Sequence, residues 1–277
     1  MNVINVAMEV LREAIHRKWF LGIALGISMV LIIMWNFLQF EIVDGALAAT
    51  ELFGDLMGSQ IQSAEVALRP AFRVASYIIY YGVLIFGIAV CAPLATTLLA
   101  PGRIDYLLAL PIARWELILG SYVGVLILTI SGTLYGAAGF MTVLGLKTEV
   151  WSTGILLSTV LASITFAAIY ATMLTMAIFV RYTPAIMIAG FLVMVSGILA
   201  SNIDALQAEI ETQWLSQLIG AVSQFFPRVV RVSHFAADIA GSMPINEAML
   251  LRSMGGILFF GLAMLCLGLW QFERKDF

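Results

Sequence analysis

The chain has 277 residues, of which 62% are hydrophobic and only 11% are charged, and its mean hydropathy is +1.01. Soluble domains carry about 25% charged residues, so this composition excludes an ordinary soluble protein and predicts one helical membrane domain over residues 1–277. The net charge of −3 is too small to indicate nucleic acid as a partner. Cys91 and Cys266 lie inside apolar runs, where cysteine acts as a small hydrophobe.

Residues 1–18 predict an amphipathic helix that lies at the membrane interface. Apolar residues recur on one face at helical spacing: Ile4, Met8, Leu11 and Ile15. Polar residues occupy another face: Asn5, Glu9, Arg12, Glu13, His16 and Arg17.

Six apolar runs follow that we interpret as membrane spans, because about 20 apolar residues cross the ~30 Å hydrocarbon core. Their approximate bounds are 19–40, 75–100, 117–146, 152–180, 185–201 and 253–272. The first is too long for the apolar part of a signal peptide, so we expect an uncleaved span. The predicted fold class is therefore an all-α membrane protein with six transmembrane helices, and both termini lie on one side.

Basic residues predict the orientation. Eight of the 14 Lys and Arg residues fall on the side of the termini, in short segments. Because short cytoplasmic segments are enriched in Lys and Arg, the termini and the loop 101–116 are expected in the cytoplasm. The expected location is the plasma (inner) membrane, crossed several times.

The loop 101–116 is a short polar island between two long uncharged runs. Pro101-Gly102 is expected to stop the preceding helix. Ile104, Leu107 and Leu108 then recur at helical spacing, and Pro111 closes a two-turn element. So short a helix is not stable alone in water, so it docks either on a partner or on the lipid headgroups.

The external segment 202–252 contains an apolar stretch, 214–226, that is too short to span and ends at Pro227. A second amphipathic stretch runs from Arg228 to Gly241. We interpret the segment as a broken, re-entrant helix pair before the last span. An ordinary surface helix that lies at the interface is an equally good interpretation.

Chemical motifs are mostly absent from the sequence. It lacks a Gly-x-x-x-x-Gly-Lys-Ser/Thr loop for ATP, metal-ligand spacing, and a histidine in the apolar runs to activate a serine. None of the six runs holds an ionisable residue near its middle, as ion-coupled carriers usually do. If the protein transports, its energy is expected to come from a partner.

Three Gly-x-x-x-Gly motifs begin at Gly22, Gly120 and Gly132. We interpret them as close packing within the subunit.

The order of elements resembles an ABC-2-type exporter permease, the membrane subunit that works with a separate ATPase. The resemblance is carried by the N-terminal amphipathic helix, the loop Arg103–Arg114 followed by Leu119-Gly120, the Phe225-Phe226-Pro227 break, and the final Phe272–Asp276. Size and layout are also similar to the permeases linked to multicopper-enzyme maturation.

The resemblance implies a dimer of permeases, with two ABC ATPase subunits that hold the ATP; this chain itself is not an enzyme and holds no cofactor. It also implies a coupling helix that fits a groove of the ATPase. The corresponding residues are Arg103, Ile104, Asp105, Leu107, Leu108, Pro111 and Arg114. A second ATPase contact would involve Glu9, Arg12, Glu13 and Arg17. Other expected partners are the lipid bilayer and an accessory protein. Nucleic acid is not an expected partner.

Two other function classes stay open at this stage. One is an ion-coupled secondary carrier or membrane-embedded enzyme, and the other is a membrane scaffold without an ATPase partner. Recruitment of an ATPase would distinguish the exporter from both.

Overall fold

The computed structural model describes residues 3–16, 19–43, 46–52, 55–58, 62–100, 113–201 and 226–275, with residues 102, 104 and 107. Eight helices are present in this part of the chain. They are α1 (Val3–His16), α2 (Trp19–Phe37), α3 (Ala64–Leu98), α4 (Arg114–Thr148), α5 (Gly154–Phe179), α6 (Thr183–Ser201), α7 (Val229–Ala240) and α8 (Glu247–Arg274). The predicted helical class is confirmed.

Five of these helices are long and apolar enough to cross a membrane, so the chain is a multi-pass membrane protein. The five spans are Leu68–Leu98, Arg114–Thr148, Gly154–Phe179, Thr183–Ser201 and Glu247–Arg274. The predicted run 19–40 corresponds to α2, which ends at Phe37. The apolar stretch described within α2 is Ala24–Asn36, which is too short to cross a membrane by itself, so the sixth span stays a prediction.

A short antiparallel sheet joins α2 to α3, which the sequence analysis did not anticipate. Its strands are β1 (Leu38–Val43), β2 (Ala46–Leu52), β3 (Asp55–Gly58) and β4 (Gln62–Ser63). β2 is central, because it pairs with β1 and with both β3 and β4. Leu38, Phe40 and Ile42 alternate with Gln39 and Glu41 as in a strand, but the sequence analysis counted the first of these residues in the apolar run 19–40.

The third helix begins earlier than predicted. α3 starts at Ala64, whereas the apolar run that predicted this span starts at residue 75. The apolar run stops at Arg69 and Arg73 because they are charged. The helix itself continues through both residues, since a membrane helix can extend beyond the hydrocarbon core. Pro70 and Pro93 both lie inside α3, as is tolerated in membrane helices where neighbours satisfy the freed backbone groups.

The central span is α5, which packs against α3, α4, α6, α7 and α8. Of the apolar stretch of α5, 67% of the residues are buried, a larger share than in any other described span. Phe166, Ile169 and Tyr170 are completely buried. A helix that is apolar on all sides and surrounded by other helices is the expected core of a bundle.

Two ends of the bundle are defined by contacts between segments far apart in sequence. At the Arg114 end, the Arg114 guanidinium donates to the carbonyls of Glu273 and Lys275, and the Lys275 ammonium donates to the carbonyl of Ile178. At the opposite end, called the Glu149 end, the Ser152 hydroxyl donates to the carbonyl of Ala240 over 3.1 Å. The α3–α4 loop and the end of α8 thus share one end, as the six-span prediction requires.

Candidate functional site

Two apolar side chains of the α3–α4 loop, those of Ile104 and Leu107, pack within the chain. Ile104 is 1% exposed and belongs to the main core, and Leu107 is half-buried against the same core. The sequence analysis expected this element to dock on a partner or on the lipid headgroups, whereas these two side chains lie against the bundle of the chain itself. Their role in coupling stays a prediction. The remaining predicted coupling residues of the loop, Arg103, Asp105, Leu108 and Pro111, lie outside the described residues.

The turn that opens the loop confirms the predicted helix stop. α3 ends at Leu98, and Gly102 has a φ of +79°, a left-handed conformation that glycine adopts without strain. The Ile104 amide then donates to the Ala100 carbonyl over 3.1 Å, so the loop turns immediately after the helix.

Arg114 links the loop to the end of the last helix. It is the first residue of α4, which begins here because the Glu116 carboxylate accepts a hydrogen bond from the Ala113 amide over 3.2 Å. The guanidinium donates to the carbonyls of Glu273 and Lys275 over 3.2 and 2.8 Å. A cation at the carbonyl end of α8 is favourable, because that end carries partial negative charge.

α1 packs along the first turns of α4 through small residues. Its buried face consists of Val6, Ala7, Val10 and Ala14. A methyl group at Gly120 would lie 2.5 Å from the Val6 Cβ, and one at Gly124 would lie 2.9 Å from the Ala7 carbonyl oxygen. The Gly120-x-x-x-Gly124 motif therefore packs within the subunit, as predicted.

The buried face of α1 differs from the face that the sequence analysis selected. Ile4, Met8 and Ile15, which the sequence analysis assigned to the apolar face of an interfacial helix, are 71%, 48% and 55% exposed. Those bulky residues would keep the two helix axes apart, whereas alanine and valine against glycine let the backbones touch. The charged face includes Glu9 and Arg12, which are exposed, and Glu13, which is half-buried; Arg17 lies outside the described residues.

A ladder of polar contacts joins α7 to α3, called here the polar ladder. Arg73 pairs with Asp238 at 3.0 Å, the Tyr77 hydroxyl lies 2.6 Å from Nδ1 of His234, and the Tyr81 hydroxyl lies 3.1 Å from that of Ser233. The α3 partners recur every four residues, so they lie on one face of that helix. The sequence analysis missed the ladder, although the spacing of Arg73, Tyr77 and Tyr81 was its visible signal.

The deeper end of α7 reaches into the bundle. The buried Tyr80 hydroxyl lies 2.9 Å from Oγ1 of Thr165 and 3.1 Å from the Val229 carbonyl. Thr165 lies eleven residues into α5, about 16 Å from its start at 1.5 Å per residue. α7 begins after Pro227 at this depth and runs outward to Ala240.

Tyr80→Phe is expected to lower the free energy of unfolding by about 1–3 kcal/mol, because it leaves the buried Val229 carbonyl without this donor. Tyr182→Phe is the matched control, since Tyr182 is 62% exposed and its loss of a hydroxyl should change stability by less than about 0.5 kcal/mol. Unfolding of both purified variants by a chemical denaturant measures the difference. Equal stabilities would show that this contact does not hold α7 in place.

Among the described residues, no group of three or more His, Cys, Asp or Glu side chains could hold a metal ion. Comparison of the chain with protein-family models and with curated proteins finds no match.

Proposed function

We propose that this chain is the permease subunit of an ATP-driven exporter of the ABC-2 type, coupled to a separate ATPase. The observation that carries the proposal is the meeting of three segments at the Arg114 end. There the α3–α4 loop, α1 and the end of α8 lie close together, since Arg114 binds the α8 end and Gly120 contacts α1. A partner at this end would contact all three.

The energy source supports the same proposal. Near their middles the described spans contain no Asp, Glu, Lys, Arg or His, and the sequence holds no phosphate loop. Ion-coupled carriers need ionisable groups inside their spans, and ATP-driven pumps need backbone amides and a lysine around the phosphates. An ATPase partner supplies what this chain lacks.

The loop geometry indicates how force would reach the spans. Ile104 anchors the loop in the core, and burial of an aliphatic side chain contributes about 1.5–3 kcal/mol. A displacement of the loop by the ATPase would therefore also displace α3 and α4. Each of these is a continuous helix of 35 residues. The exposed residues near the loop, Ala113 and the 43% exposed Trp115, are available for direct contact with the ATPase.

The proposal includes α2 as a sixth span and α7 as the outgoing arm of a re-entrant pair. It also includes a second permease copy, two ATPase copies, and substrate movement between the permease halves. We assign the Arg114 end to the cytoplasmic side of the plasma (inner) membrane, because the Lys and Arg residues are denser at that end.

Cysteine labelling tests this orientation. In a background with Cys91→Ala and Cys266→Ala, a cysteine at exposed Ala113 should react with a membrane-impermeant maleimide only in inside-out vesicles. A cysteine at exposed Ala248, at the other end of α8, should react only in right-side-out vesicles or intact cells. The reverse pattern would contradict the orientation, and labelling of both positions from one side would contradict the two-ended bundle.

Nucleotide use tests the division of labour. The purified chain alone should neither bind nor hydrolyse ATP, whereas the complex with its ATPase should hydrolyse ATP and transport. Photo-crosslinking of an azido-ATP analogue to the isolated chain would count against the proposal.

One observation favours a second candidate, an ion-coupled carrier. The polar ladder brings Arg73, Asp238 and His234 together beside α3. Proteoliposomes containing the chain alone distinguish the two candidates. Uptake or efflux driven by a pH gradient without any ATPase would support the carrier.

A further inference from the structure

We propose that a cavity at the Glu149 end binds the headgroup of a zwitterionic phospholipid, one that carries a phosphate and a primary ammonium group. This site is independent of the proposed ATPase coupling, because it lies at the opposite end of the bundle from the α3–α4 loop.

The cavity has a volume of about 370 Å³, within the ~300–1,000 Å³ range of ligand pockets. It lies between the start of α3, the turn from α4 to α5, and the end of α7. Its lining residues are Arg69, Phe72, Glu149, Val150, Trp151, Ser152, Ala240, Gly241 and Ser242. One wall is fixed by the Ser152 hydroxyl, which donates to the Ala240 carbonyl.

Two opposite charges line this cavity without meeting each other. Nε of Arg69 is buried and has no hydrogen-bond partner, and within the described part of the chain Arg69 and Glu149 form no ion pair. Nε of the neighbouring Arg73 likewise has no hydrogen-bond partner, but the Arg73 guanidinium is paired with Asp238 at 3.0 Å. A guanidinium that is partly desolvated and unpaired is unfavourable unless an anion binds to it. Phosphate suits it, because the planar fork of donors matches two phosphate oxygens.

The carboxylate of Glu149 supplies the site for the cationic half of the ligand. Glu149 is exposed and occupies the left-handed end of α4, with a φ of 58°. A purely anionic ligand would be repelled by this carboxylate, whereas an ammonium group would donate hydrogen bonds to it. A ligand with both charges offers a partner to each of these two side chains.

The surroundings favour a lipid over a free solute. Trp151 is 53% exposed at this end, where aromatic side chains mark the membrane interface. Leu146 is 65% exposed and lies one turn from Glu149 toward the middle of α4. Exposed apolar side chains at this end of the bundle suit the acyl chains of a lipid whose headgroup occupies the cavity.

Native mass spectrometry of the full-length chain tests the proposal, with equal amounts of phosphatidylethanolamine and phosphatidylglycerol added to the micelles. We expect the wild type to retain phosphatidylethanolamine preferentially. Arg69→Gln and Glu149→Gln should each weaken its binding about tenfold, since each removes a hydrogen bond to a charged group. Arg252→Gln and Glu247→Gln are the matched controls, because they make the same charge changes at exposed positions of the same end outside the cavity.

Equal retention of the two lipids by the wild type would overturn the zwitterionic assignment. Unchanged retention in both cavity variants would overturn the site itself. Soluble glycerophosphoethanolamine that binds the purified chain as tightly as the lipid would overturn the lipid source and assign the cavity to a free solute. Gel-filtration profiles check the fold of each variant, and Glu149→Gln, at an exposed side chain, keeps the test decisive if Arg69→Gln does not fold.

Discussion

Gly124→Leu is expected to detach α1 from α4 and, under the proposed function, to abolish ATPase-dependent transport. A Cβ at this position would lie 2.9 Å from the carbonyl oxygen of Ala7 and 3.0 Å from the Cβ of Val10. Because a backbone atom is involved, a side-chain rotation cannot relieve the overlap, and the whole of α1 has to move. Overpacking costs about 1–3 kcal/mol when the surroundings adjust and more when a backbone blocks adjustment.

The docking of α1 can be followed with a cysteine at Ala7, which is 3% exposed. In the background without other cysteines, Ala7→Cys should be unreactive to maleimide, and it should become reactive when Gly124→Leu is added. Gly132→Leu is the matched control in the same helix, because no atom lies within 4 Å of its added Cβ. Both leucines gain the same helix propensity, so any difference reports the contact with α1. Protection of the cysteine in the Gly124→Leu variant would refute this packing.

Ile104→Asp is expected to remove most of the folded protein from the membrane, whereas Ala113→Asp leaves the fold intact and weakens ATPase recruitment. Ile104 is 1% exposed in the main core, where an unpaired carboxylate is strongly unfavourable. Ala113 is exposed at the other end of the same loop, so its aspartate stays hydrated. The two variants therefore separate the anchoring of the loop from its contact with a partner.

The amount of monodisperse protein after gel filtration measures the first effect, and retention of the ATPase on the tagged chain measures the second. Normal amounts of folded Ile104→Asp would show that Ile104 does not anchor the loop. Full ATPase retention by Ala113→Asp would show that this exposed residue does not contribute to recruitment.

Long uncharged runs were sufficient to predict five spans of this chain, because crossing a membrane imposes one requirement on length and composition. Pro101-Gly102 and Pro227 likewise predicted where helices stop and start, since both act on the local backbone. These features depend on residues close together in sequence. The predicted bounds failed where a helix continued beyond the apolar run, as α3 does around Arg69 and Arg73, and where the run 19–40 continued beyond α2 into β1.

The packing of α1 could not be predicted in the same way. Val6, Ala7, Val10 and Ala14 recur at helical spacing, and so do Ile4, Met8, Leu11 and Ile15. Which of these two apolar faces is buried depends on Gly120 and Gly124, more than 100 residues away. The polar ladder has the same origin, because Tyr77 meets His234 across 157 positions of the sequence. Contacts of this kind are set by the arrangement of helices and leave only a partial pattern on either one.

Photo-crosslinking from Ala113 tests the central claim most directly. The full chain, with benzoylphenylalanine in place of Ala113, is irradiated in its native membrane, and a second sample carries the same probe in place of Ala248 at the opposite end. The proposed function predicts a crosslink from position 113 to a polypeptide that contains a phosphate loop and binds azido-ATP, and no such crosslink from position 248. A folded chain that yields no ATPase adduct from position 113, or equal adducts from both positions, would contradict it.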